Sequence, residues 1–126
     1  MPYIFEDLES LAGGLPVGTQ QCVELVKKHA RAPATSLWRE GAVVRGNMLL
    51  TKGTAIATFV NGKYPNKPTG NHAALYVSQD ASGITVVDQW TGSGKIRKRV
   101  LVFKGKDKNG NFVDPSGNGD AFSVVE

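Results

Sequence analysis

His72-Ala73-Ala74-Leu75-Tyr76-Val77-Ser78 and Ile84-Thr85-Val86-Val87-Asp88-Gln89-Trp90, joined through Asp80-Ala81-Ser82-Gly83, read as a β-hairpin. Apolar and β-branched residues dominate both arms, and the Asp/Ser/Gly cluster between them is a turn signal. Antiparallel pairing about this turn brings His72 and Asp88 within a residue or two of register. Directly opposed side chains in such a pair have Cβ atoms about 5 Å apart, and diagonal ones about 7–8 Å. Either separation lets a carboxylate accept a hydrogen bond from an imidazole.

Upstream of the hairpin, residues 20–31 read as a helix. Val23, Val26 and Ala30 fall at i, i+3 and i+7, with Leu25 beside them. Thr19 is placed to cap its start, because a hydroxyl there accepts from a free first-turn amide. Lys27, Lys28 and Arg31 suit the negative pole of the helix dipole, and Ala32-Pro33 ends it. Residues 36–40 read as a short helical turn, and 43–51 fit neither period. Residues 55–60 form a strand, and 61–71 are a long loop with two prolines and two glycines. Residues 96–104 are a fourth strand and 121–125 a fifth, while 105–120 read as polar surface loop. The result is an α+β fold in a single domain over residues 1–126, with a helix on a roughly five-stranded antiparallel sheet.

A chain of 126 residues with 40% hydrophobic content can bury a core without disulfides or a structural metal. No run approaches the roughly 20 apolar residues that span a bilayer. The opening Met1-Pro2-Tyr3-Ile4-Phe5-Glu6-Asp7 has neither the basic nor the apolar segment of a conventional signal peptide. The expectation is synthesis in the cytoplasm and, where exported, another route. The net charge of +4 and pI near 9.3 favour anionic partners such as nucleic acid, acidic lipid or cell wall, and equally suit a solvated basic face. Zinc-finger spacing, an RNP-like aromatic run and a helix-turn-helix pattern are all missing, so nucleic acid is not expected.

Cys22 is the only cysteine. It is either an inert hydrophobe beside Val26 or a reactive thiol. At a helix N-terminus, free amides and the dipole favour thiolate. His29, seven residues along the same helix, lies about 10 Å up the axis and cannot reach it. It is read as a surface or helix-end cation, which leaves His72 as the base. Asp88, among Val86, Val87 and Trp90, needs a partner and suits the imidazole, while Asp80, Asp107, Asp114 and Asp120 fall in turns and loops. Cys22, His72 and Asp88 thus make a nucleophile, base and orienter. An oxyanion hole would use the Cys22 amide with the side chain of Gln20 or Gln21. Trp38, Tyr64, Trp90 and the 61–71 loop are candidates to line the cleft. One cysteine and two histidines without ligand spacing make no zinc site, and no glycine-rich phosphate loop follows a strand. Neither a metal nor a cofactor is expected.

Gln21-Cys22-Val23-Glu24-Leu25-Val26, Asn71-His72-Ala73-Ala74-Leu75-Tyr76-Val77 and Gly83-Ile84-Thr85-Val86-Val87-Asp88-Gln89-Trp90 resemble the CHAP and NlpC/P60 amidase-peptidases. With Asp120-Ala121-Phe122-Ser123-Val124-Val125, the chain looks closest to the bacterial NlpC/P60-like family BPSL0067. The resemblance implies a papain-like fold and hydrolysis of amide bonds in peptidoglycan stem or cross-bridge peptides. It carries Cys22, His72 and Asp88 over as nucleophile, base and third residue. Two departures stand out. Asp88 and Trp90 replace the glutamate and asparagine of many CHAP enzymes, and Pro16 occupies the place of the papain-type glutamine. A peptidoglycan hydrolase working as a secreted antibacterial effector would be a monomer met by a cognate immunity protein, acting in the periplasm or wall of a target cell. The rival readings are a deamidase, transglutaminase-like or acyltransferase toxin acting on protein or lipid, and an inactive wall- or protein-binding module.

Overall fold

The 72–90 stretch folds as the hairpin its pattern predicts. The computed structural model describes residues 2–126. Six strands, β1 (Glu40–Val43), β2 (Ala55–Thr58), β3 (Ala73–Gln79), β4 (Gly83–Asp88), β5 (Arg97–Val102) and β6 (Phe122–Val125), form one antiparallel sheet. Its order is β1-β6-β2-β3-β4-β5. Leu75 pairs with Val87 and Tyr76 with Val86, and a bulge then shifts the register to Ser78 and Thr85. Counting back from Leu75 sets Ala74 opposite Asp88, so His72 lies diagonal to Asp88 on the same face.

Both faces of the sheet are covered, which is why β2, β3 and β6 read as near-continuous apolar runs rather than alternating ones. On one face Ala55, Ala57, Ala73 and Leu75 meet Val23, Leu25 and Val26 of α1 (Cys22–His29) and the buried Trp38. The alanines let the helix approach closely. On the other, Ile56, Ala74, Tyr76, Ile84, Val86 and Leu101 pack with Val44 and Phe122. Among the described residues no helix is long and apolar enough to cross a membrane.

The sheet has one strand more than the pattern predicts. Residues Thr35–Leu37 form a short 3-10 turn, but Glu40 begins β1 instead of ending a helical turn. Arg39 and Glu126 exchange backbone hydrogen bonds of 2.6 and 2.8 Å, and Ser123 Oγ donates to Glu40 Oε2 at 2.8 Å. The strand exists because the far end of the chain pairs with it.

The helix is also shorter than residues 20–31. It starts at Cys22, with an extended Gln21 in the N-cap position and no side-chain cap. Thr19 does not cap it; its hydroxyl donates to Glu24 Oε1 at 3.3 Å. Arg31 turns left-handed, with φ of 59°, ending the helix ahead of Pro33. Nor is 105–120 simply surface loop. Asn118 is fully buried there, between two 3-10 turns at Pro115–Gly117 and Gly119–Ala121.

Candidate active site

Cys22 is the first residue of α1, closer to the helix mouth than the third position the sequence suggested. Its backbone N–H has no partner within the helix, and its side chain is partly buried. Sγ lies 3.7 Å from the Tyr64 hydroxyl. Both open onto a cavity of about 510 Å³ whose lining includes Gln21, Asn71, His72 and Trp90. A second cavity of about 430 Å³ continues past His72 and Trp90 toward Arg99 and Ser116.

His72 immediately precedes β3, and Thr58 of β2 fixes its backbone twice. The Thr58 hydroxyl accepts from His72 N–H and Thr58 N–H donates to the His72 carbonyl, both at 3.0 Å. Phe122 meets the ring edge-on at 6.3 Å between centroids. His72 Nε2 is 2.7 Å from Asp88 Oδ2, leaving Nδ1 as the nitrogen available to the thiol. Asp88 has no exposed surface. Arg99 of β5 grips it, with Nε 2.9 and 3.1 Å from the two carboxylate oxygens and Nη2 2.7 Å from Oδ2. The Arg99 guanidinium in turn lies 4.5 Å over the Trp90 ring.

These contacts fix the charges. Burial pushes the Asp88 carboxyl up, but the bonds from His72 and Arg99 outweigh it and hold it below the usual carboxylate range. Burial would neutralise His72, yet Asp88 first and Cys22 next raise it to about 9. For Cys22, burial again opposes charge. His72 most, then the Tyr64 hydroxyl and the Ala73 backbone, bring the thiol below its ordinary value. Tyr64 moves upward, through burial and then the neighbouring Cys22, and stays a protonated donor. The two shifts run in the same sense: each favours the charged form, thiolate for Cys22 and imidazolium for His72, the direction that activates a cysteine nucleophile.

Cys22, His72, Asp88, Tyr64, Trp90 and Gln21 come together here. Trp38 does not line the cleft. It is fully buried, its indole N–H donates to the Pro33 carbonyl at 2.9 Å, and its ring backs Tyr64 at 5.1 Å. An indole that size is worth more to the core than to a solvated groove. Gln20 is exposed, carries a φ of 73° and is not among the residues lining either cavity, so of the two glutamines only Gln21 lines the cleft. His29 packs against Phe5 at 5.1 Å, away from the thiol. Burial and then the adjacent Lys28 hold His29 below its ordinary value, so it is no standing cation.

Two site residues escape the sequence reading. Arg99 sits in a basic run that looks like surplus charge, and only the β4–β5 register, with Asp88 opposite Arg97, turns Arg99 onto the carboxylate's face. Gln89 is fully buried and bonded to the segment before Cys22. Its signal was a polar residue inside an apolar strand end.

The profile of the family described as Dae2, domesticated amidase effector 2, matches residues 5–125. A Salmonella typhi protein titled "Type VI secretion amidase effector 2 protein" is 40% identical, over 100% of both chains. The "Domesticated amidase effector 2" of Ixodes scapularis is 37% identical over 87% of this chain and 73% of its own. A solved structure titled "Type 6 secretion amidase effector 2 (Tae2)" superposes with a TM-score of 0.90 at 38% identity, covering 98% of this chain and 94% of that one.

Proposed function

The chain belongs to the domesticated amidase effector 2 family, and from that premise we propose a cysteine amidase that cleaves amide bonds in bacterial peptidoglycan stem or cross-bridge peptides. The observation that carries this is the conjunction of end-to-end similarity to secreted amidase effectors with a lowered Cys22 thiol beside a raised His72 in one cleft. The finer kinship is to NlpC/P60- and CHAP-like enzymes, most nearly the BPSL0067 family, and residues 1–126 act as one catalytic domain and monomer.

In the proposed reaction Cys22 Sγ attacks the amide carbonyl and forms a carbon–sulfur bond. The oxyanion is met by the Cys22 amide and the Gln21 side chain. His72 passes its proton to the leaving nitrogen as the carbon–nitrogen bond breaks, then takes a proton from water that hydrolyses the acyl-enzyme. Asp88 holds the imidazole in place throughout. Tyr64 and Trp90 border the substrate. Delivery through a specialised secretion system, action in the periplasm or wall of a target cell, and a cognate immunity protein seated in the cleft complete the reading.

The test is incubation of the protein with purified peptidoglycan, followed by mass spectrometry of the soluble fragments. Wild type should release peptides with new carboxyl and amino termini. Cys22→Ala and His72→Ala should each release at least about 10³-fold less, since residues acting as a unit fail together. Fragments from Cys22→Ala at the wild-type rate would sink the proposal.

A further inference from the structure

Asp88 ends β4 and Gln89 follows it, so their side chains leave the backbone on opposite sides of the sheet. Asp88 meets His72 on the Phe122 side. Gln89, with no exposed surface, reaches the α1 side and ends on the turn that delivers Cys22. Its Oε1 accepts from Val17 N–H at 2.9 Å. Its Nε2 donates to the Val17 carbonyl at 3.0 Å and to the Gln21 carbonyl at 2.9 Å. One N–H and two carbonyls leave the amide a single orientation.

Val17 and Gln21 bracket a tight turn, closed by Gln20 N–H donating to the Val17 carbonyl at 3.0 Å. Within it Gly18 has φ of 58° and Gln20 has φ of 73°. The left-handed conformation is unfavourable for glutamine, and such strain persists where the surroundings over-determine it. Here the surroundings are a buried amide holding both ends of the turn. The thiol follows Gln21 directly, so any relaxation of the turn moves Sγ against His72.

We infer that Gln89 is a positioning residue for the nucleophile: Asp88 and Gln89, consecutive at one strand end, hold His72 and the Cys22 turn respectively and so set the distance between the two reacting groups. The inference rests on Cys22 as nucleophile.

Gln89→Glu tests it at constant shape, because a carboxylate cannot donate to the Val17 and Gln21 carbonyls. Cys22 alkylation by iodoacetamide is followed against pH, alongside kcat and KM on a soluble muropeptide and thermal unfolding. The alkylation profile should move up toward that of an ordinary thiol, about 8.5. kcat should fall about 10- to 100-fold with KM within about twofold, the cost of a misplaced attacking atom. A lower unfolding temperature with wild-type alkylation and kcat would make Gln89 merely structural and overturn the inference. Gly18→Ala disturbs the same turn from its exposed side and leaves the core intact, so it serves if Gln89→Glu does not fold. It should shift the alkylation profile in the same direction, and an unchanged profile would equally overturn the inference. Alkylation needs no substrate, so a wild type that leaves peptidoglycan uncut would refute the proposed function while leaving this measurement decisive for Gln89.

Discussion

Asp88 is a carboxylate without exposed surface, between an imidazole and a guanidinium. Such a group is tolerable only while charged and paired, because an unpaired buried charge costs several kcal/mol. Asp88→Asn keeps the shape and removes the charge. The His72 imidazolium then loses the partner that does most to raise it. The alkaline limb of the pH–rate profile, expected near the His72 value of about 9 in the wild type, should move to lower pH. kcat should drop about 10²- to 10³-fold as the wrong tautomer becomes available. A pH–kcat/KM series on one muropeptide checks this, and an unmoved alkaline limb would remove Asp88 from its role. Arg99→Met should cost about 1–2 kcal/mol in urea unfolding, less than a fully buried pair because the Arg99 side chain is 34% exposed. The contact between His72 and Asp88 was legible from the sequence because the two need only one hairpin to meet. Arg99 needed a third strand's register, and Gln89 needed a tertiary contact with Val17, so neither could be read from local pattern.

Among the elements, the stretch between β5 and β6 shows how a polar segment can be ordered without an apolar core. Asn118 accepts from Lys104 N–H and Asp120 N–H at 2.9 Å, and donates to the Gly105 and Val113 carbonyls at 2.9 and 2.8 Å. One amide thus ties the end of β5 to the start of β6. Asn118→Ala removes the buried partner of four part-buried backbone groups, and should lower stability by about 1–2 kcal/mol in chemical unfolding. A loss under about 0.5 kcal/mol would mean that water replaces the amide freely. The central strands were legible because sheets covered on both faces demand unbroken apolar runs. β1 was not, since Glu40, Gly41 and Ala42 carry no strand pattern of their own and are held by residues at the far end of the chain. The helix start was misread for a related reason. Thr19 has cap chemistry, but the turn held by Gln89 delays the helix to Cys22.

For the whole molecule the net charge of +4 is a statement about association, not fold. Several cations are spent on ion pairs, among them Lys27 with Glu24, Lys52 with Glu9 and Lys104 with Asp114. The exposed Lys95 precedes β5, an outer strand of the sheet, and the exposed Lys98 lies within it; neither has an ion pair within 4 Å among the described residues, although Lys98 acts on Glu9 at longer range. On an anionic polymer such charges raise local concentration, and the effect fades as the Debye length shrinks from about 10 Å at 0.1 M salt to about 3 Å at 1 M. A soluble muropeptide gains nothing comparable, because it diffuses freely to a cleft in which Cys22 is partly buried and His72 buried. Peptide release from intact sacculi should therefore fall several-fold between about 0.05 and 0.5 M salt, while cleavage of a soluble muropeptide changes less than about twofold. Reversing Lys95 and Lys98 to glutamate removes four units of charge and brings the net value from +4 to zero. That double variant should clear sacculi at low salt no faster than wild type does at high salt, with its soluble-substrate kcat intact. Equal losses on both substrates would locate the salt effect inside the cleft and not in retention on the wall.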